Sequence, residues 1–160
     1  MRKIELSQGE FALVDDNDYE WLSKYHWCAK YDDCTKGYYA IRGEYIEGKH
    51  TTIMMHREIM GCRKGEFIDH INRNSLDNQR KNLRFVSRSL NQANRPKPSN
   101  NTSGHKGVGW EKSRNKWRAK IRVNQKLIHL GFYTDPKEAA LAYNRAASFY
   151  FGEYALLNVV

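Results

Sequence analysis

The sequence predicts an α+β protein: a β-rich N-terminal region leads into a strand–strand–helix unit, and a three-stranded antiparallel sheet packed on one helix follows. Three observations carry this. Short apolar and aromatic runs, with Tyr and Trp frequent, recur through the first 60 residues, bounded by turn-forming residues. In Lys116-Trp-Arg-Ala-Lys-Ile-Arg-Val, positions 116, 118, 120 and 122 are cationic and 117, 119, 121 and 123 apolar, the period of a two-faced strand. Asp135-Pro-Lys-Glu opens a helix, with Asp as N-cap, Pro in the first turn and Glu138 three residues beyond the cap.

Taken in order, Arg2–Leu6 and Phe11–Val14 read as strands and Asp16–Leu22 as a helical turn, with further strands at 37–42 and 51–56. The aromatics of this region are assigned to filling a small core rather than to a DNA-facing surface. Glu66-Phe-Ile-Asp-His-Ile reads as a strand, 72–81 as a long polar loop, and Leu83-Arg-Phe-Val as a second strand. Ser87 or Ser89 then caps a short helix through Asn94. Pro96–Gly104 has no apolar member and reads as a linker between a domain at 1–95 and another at 105–160.

The formal net charge is +9 over 160 residues. Residues 96–160 carry 11 Lys and Arg against 4 Asp and Glu, so +7 of the charge sits there. That imbalance points to a polyanionic partner. No run approaches the roughly 18 consecutive apolar residues of a membrane span, and no apolar signal core follows Met1-Arg-Lys-Ile-Glu, so a membrane or secreted protein is not expected. Cys28, Cys34 and Cys62 are odd in number and lack paired spacing, which favours reduced, mostly buried thiols over a disulfide framework.

Asp69-His70, then Asn82, then Asn91 is the constellation that carries chemistry. Hydrolysing a phosphodiester needs a divalent cation to offset charge on the phosphate and a base to deprotonate water. Asp69 and Asn91 offer hard oxygen ligands and His70 offers the base. Neighbouring residues of a strand face opposite sides, so Asp69 and His70 share a site only where the chain kinks. A structural zinc is not expected, because one imidazole with no nearby thiolate does not make a zinc site.

Over roughly residues 50–95 these motifs resemble the HNH nuclease family, in the variant of phage and intron homing endonucleases whose last ligand is Asn. The resemblance implies a ββα-metal core with one divalent ion held by Asp69 and Asn91, magnesium first and manganese as the alternative. It also implies that His70 activates water and that Asn82 hydrogen-bonds the imidazole to fix its tautomer. His56-Arg57 matches a recurrent pair of the family, with a structural or phosphate-contacting role. A cytoplasmic setting in a bacterial or phage-infected cell follows.

In the basic region, side chains on one strand face repeat at about 6.6 Å, so a row of Lys and Arg can track phosphates while the other face packs on a core. Gly107–Asn115 supplies a strand and turn before it and Lys126–Gly131 a strand after it. In the helix, Ala139, Ala140, Tyr143, Ala146, Ala147 and Tyr150 fall at helical spacing and form the packing face, and Gly152 ends the run.

Gly107-Val, Lys116–Arg122, Leu130-Gly-Phe-Tyr-Thr, Glu138–Ala147 and Leu157-Asn resemble the Apetala-type (ethylene-response-factor) DNA-binding domain. By position, the resemblance implies that Lys120 and Arg122 contact DNA, with Lys112, Arg114 and Arg118 beside them; Lys116 and Lys126 extend the cationic set. Gly109 and Leu127 stand where plant members carry arginines and His129 where they carry Trp, so the plant target sequence is not carried over. The expected whole is a DNA endonuclease, monomer or weak dimer, that cuts one strand of duplex DNA per protomer and needs no small-molecule cofactor. The rivals are a non-catalytic DNA-binding regulator on a nuclease scaffold and, third, an RNA-directed nuclease.

Overall fold

The computed structural model of the chain describes residues 1–33 and 35–160; Cys34 lies outside the described residues. It is a mixed α/β structure with small antiparallel sheets, divided into two compact units, Met1–Val86 and Ser87–Val160.

In the first unit, β1 (Arg2–Glu5) and β2 (Phe11–Val14) form a hairpin. Alternation buries Ile4, Ala12 and Val14 on one face. Helix α1 (Asp16–Leu22) opens with Asp16 and Asp18, favourable at the positive end of its dipole, and buries Leu22. The Leu22 carbonyl accepts the indole N–H of buried Trp27 at 2.9 Å. Strands β3 (Cys28–Asp32), β4 (Gly37–Ile46) and β5 (Lys49–Met54) follow as a meander with Ala29 and Ala40 in the core.

The strand expected over 51–56 stops at Met54, and His56 stands instead on α2 (Met55–Ile59). The reason is burial: Met55, His56 and Ile59 fall on one helical face against the core. The strand β3 is a further element that the sequence reading left out. The thiol expectation also needs correction, because Cys28 is exposed and Cys62 only half-buried; both are free. Cys34 falls outside the described residues.

Strands β6 (Phe67–His70) and β7 (Leu83–Val86) pair antiparallel, with Asp69 opposite Arg84 and His70 opposite Leu83. The polar loop between them is ordered by hydrogen bonds. Leu13 donates its N–H to Leu76 and accepts that of Asn78, both at 2.8 Å, so the loop lies along β2. Asp15 accepts the Arg80 N–H at 2.8 Å, and Asp18 takes the Arg80 guanidinium through two contacts of 2.8 Å. Buried polar groups are tolerated only when so satisfied.

The second unit begins with α3 (Arg88–Asn94), capped by the Ser87 hydroxyl, which accepts the N–H of Leu90. Strands β8 (Val108–Glu111), β9 (Lys116–Val123) and β10 (Lys126–Tyr133) form the expected antiparallel sheet with β9 central. Helix α4 (Pro136–Phe151) has Asp135 as its N-cap, accepting from Lys137. It lays Ala139, Ala140, Ala142, Tyr143 and Ala147 against the sheet. Tyr150 departs from the expected stripe: it is 42% exposed, and Phe151 takes the buried place in the last turn beside Ala93 and Ile121.

Lys106 ties α3 to this unit. Its ammonium donates to the carbonyls of Gln92, Ala93 and Arg95 at 3.2, 2.5 and 2.6 Å, satisfying the negative end of the helix. Gly107 follows with φ +78°, close under the Tyr143 ring.

Two predictions follow from this packing. Gly107→Ala places a Cβ into the Tyr143 ring and 2.7 Å from the Lys120 carbonyl at a left-handed φ, so it should destabilise the second unit by about 2–4 kcal/mol in urea unfolding. An unchanged midpoint would refute the close approach. The second concerns acid. Burial holds the His56 pKa down to about 3 from 6.5, with His70 and Arg57 adding to the effect. Below pH 6.5 the unfolded chain therefore binds a proton that the folded one refuses, and stability falls as pH drops towards 3. The His56 share is a slope of at most about 1.4 kcal/mol per pH unit, and His56→Gln should flatten the urea midpoint against pH accordingly.

Candidate functional site

Asp69 and His70 are the last two residues of β6, and both are buried. Strand alternation sends them to different neighbours. The Asp69 carboxylate meets its cross-strand partner Arg84, whose Nε and Nη2 donate to Oδ2 at 3.1 and 2.9 Å. The His70 ring packs against His56 at a centroid distance of 5.0 Å and against Tyr39 at 6.2 Å. The two side chains still feel each other, since the Asp69 charge acts to raise the His70 pKa. Burial outweighs that charge and the Asn78 hydrogen bond, so the His70 pKa lies below the usual imidazole value. At neutral pH the ring is uncharged and can accept a proton.

Asn78 sets the ring's tautomer. Its Oδ1 lies 3.2 Å from His70 Nε2, and its Nδ2 donates to the Leu76 carbonyl at 3.3 Å, which fixes which end of the amide faces the ring. An acceptor at Nε2 calls for the proton there, leaving the lone pair on Nδ1. The family resemblance assigned this contact to Asn82, and the structure gives it to Asn78. The Asn82 amide is occupied in the loop instead: Oδ1 accepts the Asn72 N–H at 2.9 Å and Nδ2 donates to the Asp77 carbonyl at 2.7 Å. Asn82 thereby acts one step back, holding the loop that delivers Asn78.

Neither Asn78 nor Arg84 was singled out from the sequence. Arg84 could have been, since antiparallel pairing of the two strands sets it opposite Asp69. Asn78 had no such signal, being one of several amides in a polar loop. Arg57 donates to the carbonyls of Glu66 and Arg63, both at 2.9 Å, closing the turn before β6. Asn91 stands half-buried on α3, in the second unit. Among the described residues no three His, Cys, Asp or Glu side chains converge as a metal-binding group, and no helix is long and apolar enough to cross a membrane.

In the second unit, the register puts Lys116, Arg118, Lys120 and Arg122 on the sheet face away from α4, while Ala119 and Ile121 enter the core. Lys126 differs: it pairs with Val123 and so belongs by alternation to the other face, exposed at the strand's start. Lys112 and Arg114 lie in the 3-10 turn before β9, and Arg114 stacks over Phe132 at 4.7 Å. Glu111 brings a negative charge to the same face and pairs with Arg118 at 2.8 Å.

Residues 59–93 match the family model described as HNH endonuclease. The chain is 41% identical over 63 residues to Protein 3.8 of Escherichia phage T7, an alignment covering 39% of this chain and 52% of that protein. The chain thus spans about half the length of the curated relative it matches. No solved structure matches. The family match falls on the stretch that holds Asp69, His70, Asn78, Asn82, Arg84 and Asn91.

Proposed function

We propose that the protein is a divalent-metal-dependent endonuclease of the homing type, hydrolysing phosphodiester bonds in duplex DNA and cutting one strand per protomer. The observation that carries this is the buried, neutral His70 beside Asp69 at the end of β6, inside the segment that matches the HNH endonuclease family. His70 takes a proton from the attacking water, whose oxygen bonds to phosphorus as the bond to the 3′-oxygen breaks. Asn78 keeps the ring turned for that transfer, and Asn82 keeps Asn78 in place. Free rotation of the base would cost attacking geometry.

Asp69 is the residue of the first unit that would hold a hard cation, its carboxylate being the sparse protein ligation that magnesium usually takes alongside phosphate and water; manganese accepts the same donor. When bound, that cation offsets charge on the scissile phosphate and on the departing 3′-oxygen. Arg84 neutralises Asp69 meanwhile, so the carboxylate remains buried without an unpaired charge.

The C-terminal unit, which resembles the Apetala-type domain, holds the duplex through the cationic face of β9. The concentration of +7 in residues 96–160 supports that assignment. A non-catalytic DNA-binding regulator is the alternative, and the engagement of Asp69 by Arg84 is the feature that favours it.

Two measurements decide. A supercoiled plasmid carrying the gene's own flanking DNA should be nicked with magnesium and left intact with EDTA. His70→Ala should slow this by about 100-fold or more. Salt-sensitive binding without cleavage under any divalent metal would instead favour the regulator. In binding assays across salt, Lys120→Ala and Arg122→Ala should each lower affinity across sequences and reduce the slope of log K against log salt by about 1. An unchanged slope would remove those residues from the interface.

A further inference from the structure

We infer that β10 is the sequence-reading strand of the sheet, and that Leu127 determines specificity by packing on the C5-methyl group of a thymine in the major groove. The inference rests on the proposed DNA-binding role of the second unit and deepens it.

The register is its foundation. In the β9–β10 pairing Leu127 stands opposite Arg122, His129 opposite Lys120 and Phe132 opposite Arg118. Directly paired residues share a face, so these three β10 side chains lie on the same outer face as the cationic row. The two strands then present different chemistry side by side. The β9 row carries four cations, of which Arg118 is paired with Glu111, while the adjoining β10 row carries a leucine, an imidazole and a phenyl ring.

The β10 row is built rather than incidental. A bulge between His129 and Gly131 shifts the register by one residue, which returns Phe132 to the outer face. It also brings the rings of His129 and Phe132 to a centroid distance of 4.4 Å, and Arg114 covers Phe132 at 4.7 Å. The aromatic end of the row is thus packed ring against ring under a guanidinium. Leu127, at the other end, is 57% exposed.

A single exposed leucine needs no explanation on most surfaces. This one sits directly opposite a cation on a face whose charge selects a polyanion. Lys and Arg grip phosphates or the acceptors of guanine, and these contacts position or read polar edges. Leu127 offers only carbon and cannot serve either purpose. The one apolar group that the major groove presents is the thymine methyl. The groove, about 12 Å wide, admits a two-stranded ribbon, and β9 with β10 are neighbouring strands about 4.8 Å apart. With β9 on the backbone and polar edges, β10 lies over the bases.

The test uses the full chain in EDTA at a stated salt concentration. A site is selected from a random duplex pool, and each of its thymines is then replaced singly by deoxyuridine, which removes only the methyl group. Wild-type protein should lose about three- to tenfold in affinity at one thymine, the value of burying roughly one methyl against a side chain. Leu127→Ala should bind the thymine site more weakly by a similar factor and be indifferent to that deoxyuridine. Tolerance of deoxyuridine at every position by the wild type, or an equal deoxyuridine penalty in Leu127→Ala, would overturn the inference. So would salt-dependent binding with no enriched sequence, which leaves the DNA-binding role standing while removing the reading role. Absence of DNA binding at any salt would instead remove the DNA-binding reading itself. The wild-type measurement involves no substitution in the protein, so misfolding of a variant cannot imitate its result.

Discussion

The first unit depends on the satisfaction of buried polar groups in the loop between β6 and β7. Asn78 is 1% exposed, and Ser75, Gln79 and Asn82 are nearly as buried. An unpaired polar group in such surroundings costs about 1–3 kcal/mol, so the loop holds together only as a set. Asn82 bridges Asn72 and Asp77 across the loop, Ser75 donates to the Tyr38 carbonyl at 2.6 Å, and Asp15 with Asp18 secures Arg80. Asn78 reaches His70 because all of these are in place. The imidazole's orientation is therefore a consequence of a network that begins in β2 and α1, more than 50 residues earlier in the chain.

Electrostatics in this unit follow from the same burial. His56 and His70 meet edge to face in a site too dry to charge either readily. A neutral imidazole at physiological pH is able to accept a proton, as the role proposed for His70 requires. Asp69, by contrast, is met by the Arg84 guanidinium at 2.9 Å, which gives the buried carboxylate its counter-charge. Arg42 repeats the pattern on the meander, where a buried guanidinium is met by Glu58 at 2.6 Å and Glu44 at 2.8 Å.

The second unit is organised differently. Small residues do the packing: Ala139, Ala140 and Ala147 let α4 approach the sheet, and Gly107 admits the Tyr143 ring. That close approach fixes which face of β9 is core, and the strand's period of two then commits all four cations to the opposite face. A shift of one residue in register would bury the lysines. Asn158 seals the arrangement, exchanging hydrogen bonds with Lys106 and Asn144.

What the sequence by itself determined were the features set by local periodicity and capping. The alternation in 116–123, the Asp135 cap with Pro136, and the strand pair around Asp69 and Leu83 all describe interactions between near neighbours, and each element formed where that logic puts it. The candidate site residues were chosen by type, since a carboxylate, an imidazole and two amides in order suggest phosphodiester chemistry. Tertiary structure alone decided the partners. Arg84 on Asp69, Asn78 on His70 and the His56 ring beneath it depend on which surfaces meet after folding. The helical state of Met55–Ile59 was likewise decided by core burial against a run rich in strand-forming residues. The physical reason is range: propensity and period act over a few residues, whereas burial and hydrogen-bond satisfaction are settled between segments that the chain brings together only once folded.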